Sequence, residues 1–156
     1  MKHVSDIPRL YRRTNKEVPT KSSGYTNQAI QMLGSFKEQH NSSLPDVVRT
    51  QILTSVITSV IEQYEETTCE VLLSVKKMED SLKRLKRGKT SASLVGNMSD
   101  DDKIRTQILL DVQHFSQQVR ELGMDLESIP SYSKLVADVE QSLPARESPS
   151  PTTLQS

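Results

Sequence analysis

Few side chains in this sequence are of the types that catalyse reactions or bind metal ions. The three histidines, His3, His40 and His114, lie far apart in the sequence and form no metal-binding motif. The single cysteine, Cys69, has no basic residue within one helical turn that would stabilise a reactive thiolate. The sequence also lacks a glycine-rich phosphate loop and a serine-centred nucleophile motif. We therefore predict that the chain is not an enzyme and has no catalytic residue, no metal site and no cofactor.

Two clusters of charge need an interpretation. The acidic run Asp100–Asp102 follows Ser99, which is typical of a helix start, where serine caps and carboxylates favour the positive end of the helix. The basic stretch Lys76–Lys89 fits a helix C-terminus, where cations are favoured. The alternative is peripheral binding of an anionic membrane or a nucleic acid through this stretch. Glu79 and Asp80 interrupt it and no aromatic residue stands ready to stack on bases, so the helix end is favoured.

The composition bounds both the architecture and the compartment. Apolar residues make up 34% of the chain, which has two phenylalanines and no tryptophan, whereas soluble domains typically contain ~45–50% apolar residues. Helices that share narrow apolar stripes are therefore expected rather than a deep core. Basic and acidic residues number 20 each, so the net charge predicts no nucleic-acid partner. A single cysteine, the lack of a long apolar stretch and the lack of a signal peptide predict a soluble, cytosolic protein.

One long apolar stripe is the strongest structural signal in the sequence. Its residues recur at steps of four and three over nine positions, and only Thr68 is not clearly apolar. This spacing predicts one side of a single helix, from about Pro45 to about Arg87 and roughly 60 Å long, that is buried against other helices. Few charges flank the stripe, which favours a bundle over a two-stranded coiled coil. The stripe, here called the seam, comprises Ile57, Ile61, Tyr64, Thr68, Val71, Val75, Met78, Leu82 and Leu85.

Other helices are predicted on both sides of the long one. A short helix opens at Ser22 or Ser23, a longer one runs from Ser99 to Gly123, and a last one follows Pro130. The predicted fold class is all-α, an elongated helical bundle with one long central helix. The apolar stripe that faces the seam from the Ser99–Gly123 helix comprises Ile104, Ile108, Val112, Phe115, Val119 and Leu122.

Three regions are predicted along the chain. Residues 1–21 contain two prolines and a basic cluster and are expected to form an extended connector. Residues 22–143 form the helical bundle, with a loop at Gly88–Met98. Residues 144–156 are rich in proline and serine and are expected to be a disordered tail.

Three stretches of the sequence belong together: residues 8–25 (PRLYRRTNKEVPTKSSGY), 74–87 (SVKKMEDSLKRLKR) and 98–105 (MSDDDKIR). In this order they resemble the C-terminal region of subunit 2 of the conserved oligomeric Golgi complex. The resemblance covers about residues 7–140, whereas residues 144–156 depart from the tail expected for that family.

The resemblance implies a helical-rod subunit of a vesicle-tethering complex, peripheral on the cytosolic face of the Golgi membrane and acting in intra-Golgi retrograde transport and Golgi organisation. It implies the other subunits of the tethering complex as partners, along with SNARE proteins, Rab-type GTPases and golgins, and neither an activity nor a cofactor. Because the family's subunit is several times longer, we expect this chain to be a C-terminal fragment or truncated product. The seam and the facing stripe are then the predicted helix-packing or partner interface.

Overall fold

The computed structural model describes residues 2–14, 16–86 and 98–144. They form five helices, α1 (Lys2–Thr14), α2 (Gly24–Gln39), α3 (Asp46–Lys86), α4 (Asp100–Glu121) and α5 (Pro130–Ser142). No strand occurs within these residues, and the predicted all-α class is confirmed. None of these helices combines the length and the apolarity needed to span a bilayer. The predicted loop and tail lie outside the described residues, apart from Met98 and Pro144.

Helix α3 is the central element, and α4 packs antiparallel to it. Near the C-terminal end of α3, here called the upper end, Arg105 Nη2 lies 2.6 Å from Glu79 Oε2. Farther down, the rings of Tyr64 and Phe115 meet edge to face, with centroids 5.5 Å apart and planes at 89°. Edge-to-face contact is a favourable geometry for aromatic rings. These two contacts fix the register between the two longest helices.

The remaining helices alternate in direction around this pair. Arg12, near the end of α1, lies 2.8 Å from Asp101 at the start of α4, so α1 is antiparallel to α4. Lys37, near the end of α2, donates to the carbonyl of Leu122 beyond the end of α4 at 2.8 Å, so α2 is parallel to α4. Helix α5 turns back along α4 after a short connection. Consequently α1, α3 and α5 all run in one direction.

A single core connects the five helices. Helices α3 and α4 contribute the largest sets of buried residues, and α5 and α1 pack closely against α3. This is the narrow, shared arrangement that the low apolar content predicts. The largest fully buried side chains are Tyr64, Phe115, Ile7, Ile57, Ile61, Ile104, Ile108, Leu126, Leu135, Val4, Val75 and Val119.

The predicted extended connector at residues 1–21 is wrong over most of its length, because α1 occupies Lys2–Thr14. Val4, Ile7 and Tyr11 recur at helical spacing and are 0%, 2% and 2% exposed. Pro8 lies inside the helix, where it removes a backbone donor at a cost of about 3 kcal/mol. Burial of an apolar side chain contributes about 1.5–3 kcal/mol, so three buried side chains outweigh that cost.

The ends of the helices coincide with the predicted signals. Ser99 Oγ accepts a hydrogen bond from the backbone N–H of Asp102 at 3.1 Å and donates to its Oδ2 at 2.7 Å. Gly123, after α4, has a φ of 82°, a left-handed conformation that glycine adopts without a steric penalty. Pro130 opens α5, where its missing N–H costs nothing. Local sequence is therefore sufficient to end these helices.

Thr68 places an unpaired hydroxyl inside the core, and substitution at this position tests what that hydroxyl costs in stability. Its side chain is 0% exposed and its Oγ1 has no hydrogen-bond partner among the described residues. Thr68→Val removes this unpaired hydroxyl and keeps the shape, so we expect the free energy of unfolding to rise by about 1–2 kcal/mol.

The neighbouring Thr67 is the matched control. Its Oγ1 donates to the carbonyl of Gln63 at 2.7 Å on the exposed side of α3. Thr67→Val should change the free energy of unfolding by less than about 0.5 kcal/mol. Urea unfolding of both variants measures the difference. A loss of stability in Thr68→Val would show that the Thr68 hydroxyl has a stabilising hydrogen bond after all.

Candidate functional site

The structure buries the middle of the seam inside the chain itself. The side chains in the middle of the seam pack against α1, α4 and α5. These residues therefore hold the bundle together. The buried seam residues are Ile57, Ile61, Tyr64, Thr68 and Val75, each 0% exposed, and Val71, 7% exposed.

The upper end of the seam is exposed. Met78, Leu82 and Leu85 are 45%, 47% and 76% exposed, so the expectation that the whole seam is buried is wrong within the described residues. The reason is the length of the neighbouring helices: Arg105, near the start of α4, already lies opposite Glu79. Periodicity identifies the apolar face of a helix but not how far its neighbours extend. We call Met78, Leu82 and Leu85 the exposed seam.

The facing stripe of α4 is almost completely internal. Its last residue, Leu122, is only partly buried and packs against the edge of the core. A role of this stripe in binding a partner stays a prediction. The buried members are Ile104 and Val119 at 0% exposure, Ile108 at 1%, Phe115 at 2% and Val112 at 3%.

Glu79 lies between two cations beside the exposed seam. Lys83 Nζ is 2.7 Å from its Oε1, and Arg105 Nη2 is 2.6 Å from its Oε2. Hydrogen bonds from Lys83 and then Arg105 hold the pKa of the Glu79 carboxyl below its ordinary 4.5. Part of the basic stretch Lys76–Lys89 is thus engaged within the chain, while Arg87 and Lys89 lie outside the described residues.

A buried carboxylate lies where α4 meets the start of α2. Asp111 of α4 is 0% exposed and accepts four hydrogen bonds. Its Oδ1 accepts from the backbone N–H of Ser23 at 2.6 Å and from Gln107 Nε2 at 2.8 Å. Its Oδ2 accepts from Ser23 Oγ at 2.8 Å and from the Tyr25 hydroxyl at 2.9 Å. Asp111 therefore fixes the start of α2 against the middle of α4.

The same network extends to α1 and α3. The Tyr11 hydroxyl donates to Gln107 Oε1 at 2.7 Å, and Gln107 Nε2 donates to the carbonyl of Lys21 at 3.0 Å. The hydroxyls of Tyr25 and Tyr64 lie 3.1 Å apart. One buried network, here called the Asp111 network, thus connects four helices and the segment between α1 and α2.

Burial changes the acidity of the three tyrosines in this network. Loss of water around their hydroxyls raises the pKa of Tyr11, Tyr25 and Tyr64 above the ordinary 10.0, and the negative charge of Asp111 raises it further. The phenols therefore stay protonated, and Tyr25 can donate to the carboxylate. These hydroxyls act structurally, by holding α1, α2 and α3 against α4.

Sequence reasoning missed Asp111. A signal for it exists, because Asp111 occupies an apolar position of the α4 stripe, three residues after Ile108 and four before Phe115. A charged residue at such a position indicates a buried polar contact. Its partners Ser23 and Tyr25 could not be named, since they lie 88 and 86 residues away in the sequence.

The contact between α3 and α5 brings together three potential metal ligands. Donor atoms of Glu65, Cys69 and Asp138 lie within 4.8 Å of one another. The ammonium of Lys134 lies 2.6 Å from Glu65 Oε1, and this pairing raises the pKa of Lys134. Glu65 is thus engaged in an ion pair between the two helices, whereas Asp138 Oδ2 is buried and has no hydrogen-bond partner among the described residues. Local sequence showed no cation beside Cys69 because Lys134 comes from α5.

The histidines are not brought together. His3 stacks on Tyr25 with ring centroids 5.6 Å apart, and His114 Nε2 lies 2.7 Å from Asn27 Oδ1. His40 Nδ1 lies 3.0 Å from the hydroxyl of a serine in the loop after α2. Each has a separate local partner, so the described residues contain no histidine cluster.

Comparison with known proteins gives a clear family assignment. The family described as "COG complex component, COG2, C-terminal" matches residues 1–112 of this chain. The chain belongs to this COG2 family. The resemblance predicted from residues 8–25, 74–87 and 98–105 is thereby confirmed. No solved structure matches.

Relatives in the COG2 family include conserved oligomeric Golgi complex subunit 2 from several organisms. The human protein is 44% identical over 140 residues, covering 86% of this chain and 19% of the relative. The Drosophila melanogaster protein is 38% identical over 149 residues, covering 92% and 21%. The Dictyostelium discoideum protein is 33% identical over 142 residues, covering 88% and 16%. The chain thus spans a small part of the length of these relatives.

The Asp111 network predicts a large effect from one substitution in this COG2-family chain. Asp111→Ala removes the buried acceptor shared by Ser23, Tyr25 and Gln107, so the free energy of unfolding should fall by about 3–5 kcal/mol. Asp80→Ala, an exposed site on α3, removes the same group and should cost less than about 0.5 kcal/mol. Chemical unfolding measures both, and similar losses in the two variants would show that the network is unimportant.

The raised pKa of Tyr25 predicts a loss of stability in alkali. An unfolded tyrosine releases its proton near pH 10.0, whereas the folded phenol keeps it. The free energy of unfolding should therefore fall as the pH rises above that value. Tyr25→Phe removes this group, so its stability should decline less steeply over the same range. Thermal unfolding at increasing pH compares the two proteins. Parallel declines would show that the pKa of Tyr25 is not raised by folding.

Proposed function

We propose that this chain is part of a non-enzymatic structural subunit of the Golgi vesicle-tethering complex to which the COG2 family belongs. In this proposal it acts in intra-Golgi retrograde vesicle transport and Golgi organisation. It does so through helix–helix contacts with the other subunits of the complex. SNARE proteins, Rab-type GTPases and golgins are further partners in the proposal. The site of action is the cytosolic face of the Golgi membrane, where the chain is peripheral and exchanges with the cytosol.

The family assignment supports the organelle and the complex. The human, fly and amoeba relatives all carry the name conserved oligomeric Golgi complex subunit 2. Because this chain corresponds to 16–21% of their length, their assembly and partners come to it only as part of the proposal.

One structural observation carries the helix–helix mode of action. The seam that packs the bundle together continues without a break into Met78, Leu82 and Leu85, which are exposed on α3. A stripe with the spacing of a buried helix contact, left open at the end of a long helix, is suited to contact with a further helix. A structural subunit uses such a surface, and an enzyme does not require one.

The basic stretch supports the second candidate, peripheral binding of an anionic membrane or a nucleic acid, less well. Lys83 is already paired with Glu79. Asp80 adds a further negative charge between Lys77 and Arg84. A surface of mixed charge attracts phosphate groups weakly.

Affinity capture from Golgi-containing cells tests the proposal. The tagged chain should recover other subunits of the tethering complex, quantified by mass spectrometry. Leu82→Ser combined with Leu85→Ser removes apolar contact area from the exposed seam, and recovery should fall by about tenfold if this area contributes to the interface.

Two other exposed apolar residues provide the matched control. Met32 and Val47 are 76% and 72% exposed and lie outside the seam. Met32→Ser combined with Val47→Ser should leave recovery unchanged. If the parent chain recovers no tether subunit, the proposed function fails. Equal recovery by all three proteins would place the interface elsewhere on the chain.

A further inference from the structure

We propose that the exposed seam binds an amphipathic helix of another protein chain whose flank is acidic. This inference rests on the proposed function and specifies the chemistry of the partner. Two properties of the surface carry it: the continuity of the exposed seam with a helix contact already formed in the bundle, and the sign of the charge along one side of it.

Continuity sets the kind of partner. Met78, Leu82 and Leu85 repeat the steps of four and three by which Val71 and Val75 pack inside the bundle. A helix that meets this stripe can therefore keep the seven-residue spacing that the buried part of the seam already uses.

Small residues beside the stripe allow close approach. Ser74 and Ser81 lie seven residues apart on one flank of the exposed seam, and both are exposed. Ser81 Oγ donates to the carbonyl of Lys77 at 2.9 Å, so its side chain folds back along its own helix. A partner helix at this flank meets little steric obstruction before it reaches the charged residues beyond.

The charge on this flank is positive. Lys77 and Arg84 immediately precede Met78 and Leu85, are exposed, and form no ion pair within the part of the chain that the structure describes. A shallow surface depression formed by Ser74, Lys77, Met78 and Ser81 continues toward α1.

Helix α1 adds to this basic flank. Arg9 and Arg13 line a neighbouring depression with Ser74 and Glu70 of α3. Both arginines are exposed and, like Lys77, have no ion-pair partner among the described residues. Glu70 is the one carboxylate in this depression, so cations outnumber it.

Acidic groups near the exposed seam do not cancel this charge. Glu79, on the other flank, is engaged by Lys83 and Arg105. Asp80 lies within one turn of both Lys77 and Arg84 and, with Glu70, offsets part of their charge. The four exposed cations Lys77, Arg84, Arg9 and Arg13 still outnumber these two carboxylates. A partner with acidic residues facing Lys77 and Arg84 therefore gains attraction, and a partner with basic residues there is repelled.

The shape of the surface favours a helix over a lipid bilayer. The exposed seam is a narrow stripe with helix-contact spacing, and it contains neither tryptophan nor phenylalanine. Helices that lie on membranes usually present a broader apolar face and include such aromatic residues. An anionic bilayer is nevertheless the rival with the same charge preference, so the test includes it.

A designed peptide is the probe. It has about four heptads with leucine at the two core positions and glutamate at the flanking positions, so that its own charge disfavours self-pairing. Fluorescence anisotropy should show that the purified chain binds this peptide, more weakly at higher salt. Leu82→Ser with Leu85→Ser should weaken binding by at least about tenfold.

Charge reversal separates this inference from simple apolar adhesion. Lys77→Glu with Arg84→Glu should weaken binding of the glutamate peptide by about tenfold and improve binding of an otherwise identical peptide with lysine flanks. Lys2→Glu with Lys21→Glu makes the same change in net charge at exposed positions away from the exposed seam and should leave both affinities unchanged.

Three results would overturn the inference. The first is failure of the parent chain to bind the glutamate peptide, or equal binding of the two peptides. The second is binding to phosphatidylserine vesicles, abolished by Lys77→Glu with Arg84→Glu, in the absence of peptide binding. The third is a dimer of the chain, lost in Leu82→Ser with Leu85→Ser, that excludes the peptide. If tether subunits are still captured in any of these cases, the proposed function stands and only the inference fails.

Discussion

A carboxylate taken completely out of water is tolerated only where hydrogen-bond donors replace the water. Asp111 obtains these donors from the backbone and side chain of Ser23, from Tyr25 and from Gln107. The path of the chain between α1 and α2 follows from this requirement, because that segment has to deliver Ser23 to the carboxylate. Apolar burial brings the helices together, and the Asp111 network determines how α1, α2 and α3 are placed against the middle of α4.

Much of the fold could be predicted because its signals are local. The seam reveals α3 through spacing alone, and Ser99, Gly123 and Pro130 mark helix ends through the conformations that these residues favour. The family could also be predicted, because long strings of residues carry it. In each case the relevant information lies within about one turn of helix or one continuous stretch of sequence.

The rest depends on what lies far away in the sequence. Pro8 predicts the end of a helix from sequence alone. Only the burial of the apolar side chains around it in the folded chain explains why α1 continues through this residue. The spacing of the seam places Leu82 on the apolar face of α3, but the exposure of this side chain depends on where α4 begins. Asp111 accepts a hydrogen bond from Tyr25 of α2, and the cation nearest the Cys69 cluster is Lys134 of α5. Contacts of this kind require the three-dimensional arrangement before they can be recognised.

The span of the Asp111 network also affects how the chain acquires its structure. Ser23 and Asp111 are separated by 88 residues, and Tyr11 and Gln107 by 96. Contacts between such distant residues require closure of long loops, which slows folding. During synthesis, α1, α2 and α3 leave the ribosome before α4. Until Asp111 emerges, the donors of Ser23 and Tyr25 lack the carboxylate that accepts their hydrogen bonds. The early helices are therefore held in an incomplete state until α4 emerges, and this interval is when the nascent chain most needs protection from aggregation.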